Sequence, residues 1–381
     1  MYRVMKSVCM CGEVHLPYQI RWYWPSSEYT EPKIETYFDQ ESVFSSFERM
    51  GKEVIRINRV LTASIKNGGK YTFNISGTFL EQCKWNPDVI HSFRKLADTG
   101  NVEFAVSPYY HSVSSLYSEL LEFKEQVMKH RDVISNLFGS VPSTFVNSEL
   151  LLSNRIGELL RETGFQCLIS EGSYNLLNGY DAVHVYDDHV PTLLRHIDLS
   201  EDIEKRFSEK KWSGYPLIAD KFASWVSSMK GDVVTLYFNY DSLARHHRNE
   251  AKICRFIREL PKSLLKHGIE MVTPLEAVRR YKKVKLPTLM TESTARYGIH
   301  SLLGNHVQNI YLHELMTIGQ ELEDVRETQQ YDKLKLIYGY LQQSDILLDM
   351  NSNNFQLAYE RAVNNFSILS DFRRAVLEVG T

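Results

Sequence analysis

No stretch of this 381-residue sequence approaches the roughly 20 consecutive apolar residues that a membrane-spanning helix needs. A Gly-rich phosphate loop is missing, as are internal repeats and low-complexity tracts. Charge imbalance is missing too: 44 Lys and Arg face 47 Asp and Glu, for a net charge of −3. The strongest basic run, "RRYKKVK" at 279–285, reads as a solvated helix end, so nucleic acid is not the expected partner. Cysteine is scarce. The five present (Cys9, Cys11, Cys83, Cys167, Cys254) are odd in number and scattered, which fits the reduced thiols of a cytoplasmic protein better than a disulfide framework. The opening "MYRVMKSVCMCGEVHLP" has an apolar segment too short for a secretory core, and Glu13 and His15 interrupt it. Cys9, Cys11 and His15 have a spacing that metal ligands use, but alternating small residues along a buried strand account for it equally well.

Aromatic residues are plentiful, with 22 Tyr, 18 Phe and 5 Trp. Such rings suit sugar stacking and ordinary cores alike. Short, nearly continuous apolar runs at 7–14, 71–76, 102–107, 143–148, 167–170, 192–197, 233–239 and 269–273 read as strands covered on both faces. Helical patterns at 42–66, 86–98, 114–137, 153–163 and 248–267 alternate with them. Gly68, Gly69, Gly100, Gly139, Gly164, Gly231 and Gly268 stand shortly before strands, where glycine closes a helix C-terminus. Seven or eight such units without a phosphate loop predict an α/β fold, a (β/α) barrel over 1–285. Residues 286–381 show helical periodicity near 303–326, 331–350 and 354–378, which predicts a C-terminal helical region packed on the barrel.

Barrel chemistry sits at the C-terminal ends of the strands. There the sequence places His15, Ser107, Tyr109, His111, Asn147, Glu149, Asn239 and Asp241. Glu149 projects into the mouth on one reading; on the other, Ser148-Glu149 starts a helix, where an acid meets the helix dipole. In "TLYFNYDSLARHH", period 2 puts Tyr237, Asn239 and Asp241 on one face and Phe238 and Tyr240 on the other. Asn239 can donate a hydrogen bond but cannot release a proton to a leaving oxygen. Asp241 can, one pleat further out, or it can pair with Arg245 or cap the next helix. His111 can orient a substrate hydroxyl. It also begins an H-S-x-x-S run like that of metal-dependent polysaccharide deacetylases, which in addition need an aspartate pair on an early strand.

Several stretches together resemble the α-amylase-like branch of glycoside hydrolase family 57. They are "EVHLPY", "YFDQE", "NISGTFLEQ", "NPDVIHSF", "GNVEF", "YYHS", "NSELLLSN", "RFSEKKW", "YPLIADKFASW", "GDVV" and "TPLEAV", all in order. The resemblance implies an incomplete seven-stranded (β/α) barrel followed by a helical bundle, and retaining action on α-glucans without metal or cofactor. It places the nucleophile on Glu149 and the general acid on Asn239, so the expected proton donor is an amide. On an alternative reading Asp241, in the same segment, takes over as acid. His15, Tyr109, Tyr110, His111, Trp225 and His246 make up the implied substrate-binding set, with an α-glucan or maltooligosaccharide as partner. Other departures cluster nearby: Leu16 for a glutamine, Val106-Ser107-Pro108 for Gly-Glu-Thr, Arg245 for a glutamate and Leu302 for an aromatic. The sequence therefore predicts an α-amylase-like homologue with impaired or absent hydrolysis that still holds glucan. The alternatives are an active enzyme using Asp241, or an interaction scaffold without sugar affinity.

Overall fold

The run at 7–14 becomes the hub of the molecule. The computed structural model describes residues 5–25, 31–245, 250–286 and 295–380. Its ten strands are β1 (Lys6–Val14), β2 (Tyr71–Ile75), β3 (Val102–Ala105), β4 (Thr144–Val146), β5 (Cys167–Glu171), β6 (Val185–Asp187), β7 (Thr192–Arg195), β8 (Val233–Asn239), β9 (Ile269–Met271) and β10 (Lys283–Lys285). β1 pairs in parallel with β2 through Cys11–Val14, with β8 through Ser7–Glu13, and with β9 through Lys6–Val8. β2 continues to β3, β4 to β5, β5 to β7, and β7 to β8, all in parallel. Two seams are thin. β3 reaches β4 by the single bridge Val106↔Phe145, and β7 reaches β8 by the single pair Arg195↔Thr235. Seven of the strands, β1–β5, β7 and β8, thus make a nearly closed barrel, the expected architecture, with β9 paired to the start of β1.

Period 2 explains the alternating cysteines. Cys9 and Cys11 share an interior cluster with Ala105, Val146, Cys167, Ile169, Leu193 and Tyr237, while Val8, Met10 and Val14 pack outward against the helical layer. Burial pushes the Cys9 and Cys11 thiols well above their ordinary range, so both are small neutral core residues. The same alternation turns Tyr237 inward, and Phe238 and Tyr240 into the outer core.

Helices Gln40–Ile65, Asp88–Ala97, Leu121–Phe138, Asn154–Glu162, Ala219–Ser228 and Glu250–Lys266 form the outer layer. Gly139 ends the third of these in the left-handed region at φ 73°, as its spacing predicts. Two sequence expectations are corrected here. Residues 114–120 are not helical beyond the short turn Ser114–Leu116, and the helix starts at Leu121. The basic run does not end as a solvated helix: the helix stops at Arg280, and Lys283–Lys285 pairs in parallel with β6 as an edge strand. Lysines on an edge blunt it against unwanted pairing.

The C-terminal helices His306–Asp324, Tyr331–Leu341, Ser344–Asp349 and Phe355–Val379 share one apolar cluster with the barrel's 106–165 flank, through Tyr311, Leu315, Ile337 and Phe372 against Val106, Phe123 and Phe145. What reads as one helix over 331–350 breaks at Gln342–Gln343. The Val113 amide donates to the Gln342 carbonyl (2.9 Å) and the Ser344 amide to the His111 carbonyl (3.0 Å), so the break docks on the loop after β3. Among the described residues no helix is long and apolar enough to cross a membrane.

Candidate active site

Glu149 does not start a helix. Asn147 caps a single turn over Ser148–Leu150 by accepting from the Ser148 amide (3.0 Å), and Glu149 sits inside it at φ 52°. His111 (φ 54°) and Leu150 (φ 53°) are also left-handed. Such conformations cost about 1–3 kcal/mol each in non-glycine residues and persist where the surroundings over-determine them. Here the surroundings are a hydrogen-bonded chain. His111 Nε2 donates to Glu13 Oε1 (3.1 Å) and Nδ1 to Ser344 Oγ (2.9 Å); Ser344 Oγ in turn donates to Glu149 Oε1 (2.9 Å).

This chain sets the protonation states. Burial opposes a charge on His111, yet its hydrogen bond to Glu13 and the charges of Glu13, Glu149 and Asp345 raise its pKa to about 9. Burial alone would raise Glu13; the His111 hydrogen bond, with the charges of His111, Arg296 and His15, brings it down to about 2. Glu149 is raised, because burial and the nearby Glu13 and Asp345 outweigh His111 and Arg296.

His15 stacks on His111 with ring centroids 4.0 Å apart. Burial, and then the His111 charge, lower its pKa. As a neutral imidazole it donates from Nε2 to Asp345 Oδ2 (3.0 Å) and accepts at Nδ1 from Ser76 Oγ (2.8 Å). Burial works against ionisation of Asp345, but His15 and His111 hold it at about 2. Ligand atoms of His15, His111 and Asp345 lie within 4.8 Å of one another, a spacing open to a divalent cation. Each of those side chains already has a hydrogen-bond partner, so the cluster is electrostatically complete as it stands.

Across Glu13 the rim changes character. Asn239 is the in-register neighbour of Glu13 on β8, at the end of its strand. Its Oδ1 accepts from Arg296 Nη1 (3.1 Å), and its backbone amide donates to Glu204 Oε1 (3.2 Å). Arg296 Nη2 donates to Glu204 Oε2 (2.7 Å), and its Nη1 stands 3.8 Å from Glu13 Oε2. The Arg296 backbone amide reaches the Glu149 carbonyl, so one residue ties the two key positions together. Arg195 lies deeper, donating to the Tyr237 carbonyl (2.7 Å) and to Glu171 Oε2 (3.1 Å). Tyr237 Oη donates to Glu13 Oε1 (3.0 Å), which makes Glu13 the junction between the two halves.

The remaining expected residues disperse. Tyr109 and Tyr110 are buried, each ring seated where a glycine (Gly77 and Gly339) leaves no room for a Cβ. Lys129 covers both rings, 3.8 and 4.6 Å from their centroids. They anchor the His111 loop and offer no open face to a sugar. Trp225 lies on the outer helix Ala219–Ser228 against Trp212, away from the mouth. Asp241 is half-buried in the turn beyond β8. His246 lies outside the described residues.

Sequence reasoning missed Glu13, Glu204, Arg296, Ser344 and Asp345. The last three follow the barrel in sequence, and only the helix break and the return of Arg296 bring them to the rim. It also missed a groove of about 390 Å³ that opens onto Asp345 and is lined by Tyr18, Trp22, Gln343 and Arg361. Trp22 is 54% exposed there, and an "RWYW" segment is a readable signal for such a surface.

The family model for glycosyl hydrolase family 57 matches residues 10–290. The chain belongs to glycosyl hydrolase family 57. A "Putative alpha-amylase" of Methanocaldococcus jannaschii is 32% identical over 336 residues, which is 81% of this chain and 72% of that protein. The family 57 branching enzyme of Pyrococcus horikoshii superposes with a TM-score of 0.70 over 99% of this chain and 92% of its own, at 13% identity. A novel alpha-amylase from Thermotoga maritima gives 0.67 over 99% and 95%, at 10% identity. At such identities the structural likeness shows the family 57 fold.

Proposed function

We propose that this family 57 chain holds an α-glucan or maltooligosaccharide, with Glu149 in the nucleophile's place and hydrolysis impaired or absent because the acid position is Asn239. The observation that carries the reading is the bond from Arg296 Nη1 to Asn239 Oδ1. An amide has no proton to give, and its oxygen is taken up by the guanidinium. Loss of a general acid costs on the order of 10²–10⁴ in rate. Binding need not fall with it, because hydroxyl hydrogen bonds and ring contacts carry affinity. The His15–Asp345 pair and the groove beside Trp22 supply both kinds of group.

The alpha-amylase name of the M. jannaschii relative supports α-glucan as the ligand class. Calorimetry with maltoheptaose is expected to show saturable binding while amylose hydrolysis stays at background. Flat traces at millimolar ligand would favour a scaffold without sugar affinity. Rapid amylose hydrolysis lost in Asp241→Asn would move the acid role to Asp241.

A further inference from the structure

We propose that Ser344 is the positioning residue of the nucleophile: it pins one carboxylate oxygen of Glu149, Oε1, and leaves the other, Oε2, as the atom that attacks the anomeric carbon. The inference rests on the reading of Glu149 given above and adds to it a second residue and the identity of the attacking oxygen.

Ser344 Oγ lies 2.9 Å from His111 Nδ1 and 2.9 Å from Glu149 Oε1. A hydroxyl has a single proton to donate. In a protonated His111 both ring nitrogens are donors, Nε2 to Glu13 Oε1 (3.1 Å) and Nδ1 to Ser344. Ser344 Oγ then accepts from the imidazolium, and its own proton goes to Glu149. Burial opposes the charge on His111, but its hydrogen bond to Glu13 and the charges of Glu13, Glu149 and Asp345 raise its pKa to about 9. The direction of the chain is therefore fixed through neutral pH. Among the described residues Glu149 Oε2 accepts no hydrogen bond, on a side chain that is only half-buried.

The Ser344 hydroxyl is not what holds the fold here. The helix break docks by the backbone bonds to the His111 loop and by Gln343, whose Oε1 accepts from the Tyr18 amide (2.8 Å) and whose Nε2 donates to the Tyr340 carbonyl (2.7 Å). The turn that carries Glu149 is held by the Asn147 cap and by the Arg296 amide, which donates to the Glu149 carbonyl (2.6 Å). None of these bonds uses Ser344 Oγ. What Oγ alone supplies is the orientation of the Glu149 carboxylate, from a residue with no exposed surface.

A carboxylate free to turn about its last bond presents either oxygen in many directions, whereas one held at Oε1 presents Oε2 in one. Misplacing a reacting atom by about 1 Å costs on the order of 10² in rate. With α-maltosyl fluoride, Oε2 bonds to the anomeric carbon as the bond to fluorine breaks and the electron pair leaves on fluoride. Water then attacks the same carbon, the bond to Oε2 breaks, the carboxylate recovers its pair, and a proton passes to solvent.

The test uses the full chain with α-maltosyl fluoride and follows fluoride release. Ser344→Ala is expected to lower kcat about 100-fold with KM changed less than about threefold. Ser344→Cys keeps a weak donor of similar size and is expected to lower kcat about 10-fold. Loss of the donor also moves the acid limb of the kcat profile to higher pH. Glu149 then faces His111, Glu13, Asp345 and Arg296 without the bond that favours its charged form. Packing alone would move neither the limb nor kcat at constant KM. Unchanged kcat and an unshifted limb in Ser344→Ala overturn the inference, while inactive Glu149→Gln leaves the Glu149 reading standing. Should Ser344→Ala lose its cooperative unfolding transition, Ser344→Cys decides alone, with an unchanged kcat as the contrary result. Wild-type fluoride release that is absent, or that Glu149→Gln leaves unchanged, removes both readings.

Discussion

On one side of Glu13 the barrel mouth carries Glu149 and His111, bridged by Ser344, and His15, which bonds to Asp345 and Ser76. On the other side it carries Asn239, two buried arginines, Glu204 and Glu171. On the function proposed above, Glu149 in the first half stands in the nucleophile's place, and Asn239 in the second stands in the acid's place among paired arginines and carboxylates. The two halves are separable by mutation.

The largest separation is expected from Glu149→Gln. Turnover of α-maltosyl fluoride, whose leaving group needs no protein acid, should fall by ~10³ or more, with maltoheptaose affinity changed only a few-fold. Next is Arg296→Leu, which leaves Glu204 and Glu13 short of a cation. Losing one partner of a buried pair costs about 3–5 kcal/mol, readable in chemical denaturation, and Arg296→Leu combined with Glu204→Gln should recover part of it.

His111→Gln tests the nucleophile half through pH. His111, raised to about 9, contributes stability that is complete below its unfolded value of 6.5 and lost as pH rises through 9. Glu13, lowered to about 2, contributes fully above 4.5 and loses its share as pH falls towards 2. The pair is therefore strongest between pH 4.5 and 6.5. The variant should lose about 3 kcal/mol near pH 6 and much less above pH 9. The smallest effect is expected from Trp22→Ala, a weakening of maltoheptaose binding by about 1 kcal/mol, because the ring is an open platform at the groove edge.

The strands of the barrel were legible because each is a short apolar run, and Cys9, Cys11, Tyr237 and Asn239 fall on the inward face by period 2 alone. Glu149 and Asn239 were legible as strand-end residues and through the family resemblance. The rest of the mouth was not. Ser344 and Asp345 lie inside what reads as one helix, and no local signal shows that Gln342–Gln343 breaks it, since the break is stabilised by backbone bonds to a loop more than 200 residues earlier. Arg296 follows a linker whose sequence gives no direction of travel. Glu13 reads as an interruption of an apolar strand, although it is where the two halves meet. Tyr109 and Tyr110 show the reverse error: their composition suits sugar stacking, yet Gly77, Gly339 and Lys129 bury them.

The most direct test compares amylose hydrolysis by the wild type and by Asn239→Asp at matched concentration and pH. Background activity is expected in the wild type and a gain of about 10² in the variant, at the low end of general-acid effects because Arg296 favours the ionised carboxyl. Rapid hydrolysis by the wild type, undiminished or lowered by the substitution, would contradict the proposed function.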